Sequence, residues 1–242
     1  MVGLPTTEHS LWLPPEKISH FRPSFTTSPH NPASDLLAQV AATFASASIY
    51  FQSEDEELSR DLFQRSVIMT RSCFDNPGYL HDAIPELKTY YKSWHIADEH
   101  VYAALWVYKA AAALGNSTIA EEMKELAFSW EERAINGDVE YNTIWWEGES
   151  FNWDSKHPAI HFLFSNLFSH DSSRERFDKF KNSIFRRDRT EKGFIWISKW
   201  GSTRHNSNAM FLLLLDAKYE EDFGLFQEIR SQIYYLLDGP II

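Results

Sequence analysis

Cysteine is nearly absent from this 242-residue chain: Cys73 stands alone, so no disulfide bond can form within it. Cys73 lies near the end of a predicted helix, where we expect a buried structural thiol. No apolar run approaches the roughly 20 residues that a membrane-spanning helix needs, which excludes a membrane as partner. The first residues also lack the basic and apolar regions of a signal peptide. That start predicts either a cytosolic protein or a true N-terminus that lies upstream.

Basic residues are scarce as well. The chain has 23 lysines and arginines but 34 aspartates and glutamates, and its formal net charge is -11. This balance would repel a nucleic-acid backbone, whereas a neutral polysaccharide is indifferent to it. Nucleic acid is therefore excluded as a partner.

Aromatic residues, by contrast, are abundant. Nine Trp, ten Tyr and eighteen Phe make up 15% of the chain, and apolar residues reach 43%. One interpretation is a bulky helical core. The other is a sugar-binding surface, because the apolar face of a pyranose ring packs on flat aromatic rings. Composition alone favours the core, and a chain of this length folds as one large domain or two small ones.

The pattern along the chain is helical after a proline-rich start. Prolines make residues 1–32 an extended segment. Apolar spacing and capping residues then predict helices over Ala33–Phe51, Glu56–Phe74, Asp98–Leu114, Thr118–Ile135, Lys156–Phe168, Arg174–Phe185, Thr203–Tyr219 and Phe223–Leu237. Strand-like alternation is confined to Tyr141–Trp145 and Phe194–Ile197. Helices paired in this way fit an α/α toroid, although periodicity alone does not separate a toroid from a simple bundle.

Five segments carry motifs in a fixed order along the chain. They are Glu8–Glu16 (E-H-S-L-W-L-P-P-E), Asn31–Phe51 (N-P-A-S-D, then an Ala-rich helix), Tyr90–Ala110 (Y-Y-K-S-W, D-E, A-A-L-W-V-Y-K-A), Phe151–Lys156 (F-N-W-D-S-K) and Trp200–Ala209 (W-G-S-T-R, N-x-N-A). These resemble the motifs of the family-nine glycoside hydrolases, the endo-β-1,4-glucanases and their relatives. Gln232–Leu237 is similar to the Q-I-D-Y-x-L helix that follows them in that family.

The resemblance implies an all-α fold, an (α/α)6 barrel that is incomplete here and lacks its first and last helices. Residues 1–242 would form a partial catalytic domain, with 1–32 as an extended segment lining the cleft and 33–238 as helical hairpins. The implied activity is hydrolysis of cellulose or a related β-glucan with inversion, outside the cell. The family's base, an Asp of D-A-G-D, and its acid Glu have no counterpart in this sequence. We therefore predict no catalytic residues here, and a chain that is inactive by itself.

What remains is substrate binding. The expected partner is a β-1,4-glucan or cello-oligosaccharide, and the resemblance places the contacts at His9, Trp12, Tyr90, Tyr91, Trp94, Trp153, Trp200 and Arg204. For His9 and Trp12 the alternative is an ordinary loop anchor. One departure from the family is His205, which follows Arg204 where the family has Tyr.

The resemblance requires no cofactor, but in some members a structural calcium is held by acids equivalent to Asp98, Glu99 and Asp154. Carboxylate oxygens are the ligands that calcium takes. The alternative for Asp98 and Glu99 is that acids in a first turn simply complement the helix dipole. The connection from Trp94 to Asp98 is also one residue shorter than the calcium-binding pattern.

Two rival hypotheses remain open. One is a non-catalytic carbohydrate-binding or scaffold pseudoenzyme that keeps the glucan contacts. The other is an unrelated α/α solenoid whose aromatic residues all belong to the core. Solvent exposure of the aromatic residues in the motifs would contradict the solenoid. It would agree with an endoglucanase fragment or with a carbohydrate-binding pseudoenzyme.

Overall fold

The computed structural model describes residues 3–136 and 150–237, which are helices joined by loops. The chain divides into two compact units, Met1–Asn142 and Thr143–Ile242. The first contains α1 (Pro5–His9), α2 (Ser34–Phe51), α3 (Glu56–Asp75), α4 (Leu80–Ala83), α5 (Ala97–Ala113) and α6 (Ser117–Asn136), with 3-10 turns at Pro15–Lys17 and Pro85–Leu87. The second contains α7 (His157–Phe168), α8 (Asp171–Phe185), α9 (Ser202–Tyr219) and α10 (Phe223–Leu236).

In the first unit, α2 packs against α3 and α5, and α5 packs against α6. Ala38, Ala41 and Ala103 are fully buried where these helices meet, and such small side chains let helix backbones approach closely. Cys73 completes this cluster, with its thiol 3.6 Å from the carbonyl oxygen of Ser34. Burial raises the pKa of Cys73 to about 12, so the predicted structural thiol is confirmed.

In the second unit, α7 packs on α8 and on α9, while α9 packs on α10. Phe164 and Phe177 are among its fully buried side chains. The buried carboxylate of Asp216 on α9 accepts hydrogen bonds from Arg174 at 2.6 Å and from Lys181 at 2.9 Å, both on α8. These ion pairs satisfy a charge that would be costly to bury alone.

Observed helix ends lie within three residues of the predicted ones. The start differs, because residues 5–9 of the predicted extended segment form α1. Pro5 occupies the first helical position, where a missing N–H costs no hydrogen bond. Phe194–Ile197 contributes only one bridge, between Arg189 and Ile195. Tyr141–Trp145 lies outside the described residues. Within the described ranges, no helix is both long and apolar enough to cross a membrane.

Candidate functional site

Two of the predicted motifs meet at the end of α1. The ring of His9 stacks on Tyr90 with centroids 3.8 Å apart and planes 4° from parallel. Tyr91 lies 6.4 Å from His9 with its ring tilted by 56°. We call His9, Tyr90 and Tyr91 the His9 cluster. It brings together residues that lie far apart in the sequence and that the resemblance implies bind the same ligand.

The segment bearing His9 is fixed by its neighbour Glu8. This carboxylate accepts a hydrogen bond from Arg22 at 2.8 Å and lies 3.3 Å from the His20 ring. The Arg22 hydrogen bond is the main cause of a lowered pKa at Glu8. Gly3, at φ 90, donates its N–H to Pro23 at 2.8 Å, so the chain folds back on itself before α1.

A buried carboxylate positions the loop that carries Tyr90 and Tyr91. Asp35, at the start of α2, accepts hydrogen bonds from Leu80 N at 3.0 Å, Ser93 Oγ at 3.0 Å and Leu36 N at 2.8 Å. Burial raises the pKa of Asp35, and the bonds from Leu80, Leu36 and Ser93 act against that shift. The first turn of α2 is thereby connected to both ends of the 80–93 segment.

Neighbouring residues of the same motif reinforce this connection. Ser34 Oγ accepts a hydrogen bond from Gly78 N at 3.0 Å, and Ser34 N donates to Gly78 O at 2.8 Å. Asn31 Nδ2 donates to Ala83 O at 3.1 Å. A Cβ on Gly78 would lie 2.5 Å from Pro32 Cγ, so only glycine fits this approach. The N-P-A-S-D motif is therefore a structural connection to the aromatic loop.

The predicted aromatic contacts in this unit are open to solvent. Trp94 is 65% exposed, with Lys92 Nζ 4.4 Å from the ring centroid. Tyr91 is also exposed, and Trp12 is fully exposed with no ring contact to other described residues. These rings are therefore accessible to a ligand.

In the second unit, Trp200 precedes α9 and is 83% exposed. Gly201 follows at φ 66 as the residue before the helix. Arg204 Nη2 lies 3.2 Å from His205 Nε2, and His205 Nδ1 forms a hydrogen bond with Ser150 Oγ. Burial, and then the charges of Arg204 and the nearby Arg187, lower the pKa of His205.

The Phe151–Lys156 motif forms a turn beside α9. Lys156 is buried and donates its ammonium to the carbonyl oxygens of Asn152 and Trp153, each at 2.7 Å. Asn208 on α9 donates to Phe151 O at 2.9 Å. Trp153 remains partly exposed on this turn. The second unit thus connects the Phe151–Lys156 and Trp200–Ala209 motifs through Asn208.

The predicted calcium ligands, Asp98, Glu99 and Asp154, are not shown to bind a metal ion. Asp98 and Glu99 are buried in the first turn of α5, and Asp154 belongs to the second unit. Among residues 3–136 and 150–237, no three His, Cys, Asp or Glu side chains are grouped to hold a metal ion. Calcium binding is not confirmed and stays a prediction.

A profile of Glycosyl hydrolase family 9 matches residues 1–238. The chain belongs to glycosyl hydrolase family 9. Endoglucanase 24 of Oryza sativa subsp. japonica is 30% identical over 237 residues, which are 90% of this chain and 42% of that protein. Endoglucanase 15 of Arabidopsis thaliana is 25% identical over 233 residues, or 91% of this chain and 44% of that protein. The family-9 chain thus spans less than half the length of these relatives.

Solved family-9 structures share the fold. The endoglucanase of the termite Nasutitermes takasagoensis, determined at pH 2.5, superposes with a TM-score of 0.81 at 28% identity, covering 97% of this chain and 51% of that one. The cellulase Cel9M of C. cellulolyticum, in complex with cellobiose, gives a TM-score of 0.80 at 20% identity, covering 99% of this chain and 53% of that one. The predicted fold class is confirmed: this all-α chain matches about half of structures that are (α/α)6 barrels.

Three residues that organise these surfaces were not predicted to do so. Asp35 and Glu8 were only letters of two motifs, and His205 was only a departure from the family. Their partners Leu80, Arg22 and Ser150 are distant in sequence. A conventional signal existed for Asp35 alone, since Ser-Asp before an apolar helix marks an N-terminus.

Proposed function

We propose that this family-9 chain supplies glucan-binding subsites of an endo-β-1,4-glucanase and binds cello-oligosaccharides without hydrolysing them. The observation that carries the proposal is the His9 cluster, in which a stacked pair lies beside exposed Tyr91. Exposed Trp94 and Trp200 extend the same chemistry. Rings this exposed are inconsistent with a solenoid whose aromatic residues all belong to the core.

The binding chemistry follows from the side chains. Pyranose C–H faces pack on aromatic rings, which removes apolar area from water at about 25 cal/mol per Å². His9 and Arg204 add hydrogen bonds to sugar hydroxyls. Because the ligand is neutral, affinity should depend little on ionic strength, unlike the binding of a charged polymer.

The lack of hydrolysis in this proposal rests on the sequence. Inverting hydrolysis uses an acid and a base carboxyl group about 6.5–9.5 Å apart. No D-A-G-D segment occurs in the 242 residues. Endoglucanase activity of a longer protein, and an extracellular location, are part of the same proposal. Secretion of the native protein into the surrounding medium tests the location.

The direct test is calorimetric titration of the chain with cellotetraose. Trp94→Ala and Trp200→Ala should each weaken binding by about tenfold, the equivalent of about 1.4 kcal/mol. Trp196→Ala is the matched control, because Trp196 is 45% exposed but belongs to no motif. Equal losses in all three variants, or no binding by the unmodified chain, would overturn the proposal.

A further inference from the structure

The hydrogen bonds around His205 determine which ring nitrogen carries a proton. A guanidinium group has only donors, so Arg204 Nη2 can bond to His205 Nε2 only if that nitrogen is unprotonated. The single proton of a neutral ring then lies on Nδ1 and is donated to Ser150 Oγ. The contacts therefore describe a neutral imidazole between a hydroxyl group and a cation.

The guanidinium of Arg204 also lies close to the backbone at the start of α9. A Cβ on Gly201, the residue after Trp200, would lie 3.1 Å from Arg204 Nη2. Gly201 has φ 66, a conformation that glycine adopts at little cost. A Cβ at position 201 would therefore press against the guanidinium, which also lies 3.2 Å from His205 Nε2.

We infer that His205 is a positioning residue: its neutral ring holds Arg204 close to Gly201, the residue after Trp200, for glucan binding. Protonation of the ring releases Arg204. Protonation of His205 Nε2 converts the acceptor for Arg204 into an N–H donor, so that two donors face each other. It also places a second positive charge beside the guanidinium. The inference rests on the proposed function, because it assumes that Trp200 and Arg204 contact glucan. It concerns a position where the family has Tyr, a side chain that does not gain positive charge on acidification.

The charges that face His205 set the direction of the pH effect. Arg204 on its own helix and Arg187 after α8 both oppose protonation, while Ser150 is uncharged. Arg187 is itself fixed by a 2.9 Å hydrogen bond to Ile197 O. Burial and the charges of these two arginines lower the pKa of His205. The ring is therefore neutral at pH 7.5, and its protonation falls below pH 6.5.

The first experiment measures cellotetraose affinity from pH 7.5 down to pH 4.5. Affinity of the unmodified chain should fall by about tenfold, since a hydrogen bond to a charged group contributes about 1.5 kcal/mol. His205→Gln keeps an acceptor for Arg204 but does not titrate, and it should give a flat profile. His30→Gln, an exposed histidine in a loop of the first unit, should keep the acid loss. His9→Phe should lower affinity at every pH without flattening the profile.

The inference is overturned if His205→Gln retains the acid loss or if His9→Phe abolishes it. A ligand-free measurement separates it from the proposed function. Nitrogen-15 chemical shifts of the His205 ring should show the Nδ1–H form at pH 7.5, and the Arg204 side-chain signals should shift as that ring titrates. The Nε2–H form would refute the positioning role whatever the chain binds. The Nδ1–H form without any cellotetraose binding would refute only the proposed function.

Discussion

At the scale of single residues, His9 combines two roles that substitutions can separate. Its ring packs face to face on Tyr90, and its nitrogens can hydrogen-bond a sugar hydroxyl. His9→Phe keeps a flat ring, so the free energy of unfolding should change by less than about 0.5 kcal/mol. Cellotetraose affinity should still fall by about fivefold, the equivalent of one neutral hydrogen bond of about 1 kcal/mol.

His9→Ala is the contrasting variant. It removes the stacking as well, so the free energy of unfolding should drop by about 1 kcal/mol together with affinity. Urea denaturation and calorimetric titration of both variants make the comparison. Equal affinity of His9→Phe and the unmodified chain would mean that His9 contributes packing alone.

A second histidine, His100, is buried without a hydrogen-bond partner among the described residues. His100 is fully buried between Phe74 and Trp130, with ring centroids 5.3 Å and 5.2 Å away. Neither of its ring nitrogens has a partner within the described residues. Burial lowers the pKa of His100 to about 3, although the charge of Asp98 acts in the opposite direction. His100→Leu should therefore raise the free energy of unfolding by about 1–2 kcal/mol at pH 7.

The gain in the free energy of unfolding from His100→Leu should increase as the pH is lowered. The folded chain keeps His100 neutral, whereas the unfolded chain binds a proton below about pH 6.5. The unmodified chain therefore loses about 1.4 kcal/mol per pH unit from this group between pH 6.5 and the folded pKa near 3. Urea titrations at pH 7, 6 and 5 measure this slope. A constant difference between the two proteins across that range would contradict the assignment of a neutral, buried ring.

At the scale of elements, Asp35 connects α2 to the aromatic loop. Asp35→Ala leaves Leu80 N and the buried Ser93 hydroxyl without their acceptor, at a cost of about 1–3 kcal/mol for each. The expected loss in the free energy of unfolding is about 3 kcal/mol. A double-mutant cycle with Ser93→Ala should give a coupling energy of about 1 kcal/mol, because each variant removes the same hydrogen bond.

The matched control for Asp35→Ala is Asp55→Ala. Asp55 also accepts a helix-start hydrogen bond, from Leu58 N at 3.0 Å, but it is exposed and contacts no distant loop. Its loss should cost about 1 kcal/mol and leave cellotetraose binding unchanged. If the two variants lower the free energy of unfolding equally, Asp35 is only an ordinary first-turn acid.

Helices were the most predictable elements because their signals are local. Helices α3 and α10 begin at the predicted residues, since Asp55 and Asp222 cap them through Leu58 N and Leu225 N. The helix Pro5–His9 differs from the prediction because proline, which breaks a helix interior, is favoured at the first helical position. Asp35 and His205 were missed as positioning residues for a different reason: a hydrogen bond to a distant partner leaves no periodic trace in the sequence.

At the scale of the whole molecule, the family motifs divide into two kinds. Lys156, Asn208 and Ser34 are motif residues whose hydrogen bonds close turns or connect segments. Trp94 and Trp200 are motif residues left at the surface by those connections. The sequence motifs named both tryptophans, and their role in substrate binding stays a prediction. The supporting hydrogen bonds required the three-dimensional structure.

The 242-residue chain should bind cellotetraose but release no reducing sugar from carboxymethyl cellulose. Loss of one catalytic group costs about 10⁴–10⁶ in kcat in hydrolases that use several groups together, and here both carboxylates of an inverting pair lack a motif. Asp154 is not expected to substitute for them, because the resemblance assigns it to calcium and not to catalysis. A full-length family-9 endoglucanase is the positive control. Turnover above the blank that survives Asp171→Ala but is lost in Asp154→Ala would show that Asp154 performs catalysis.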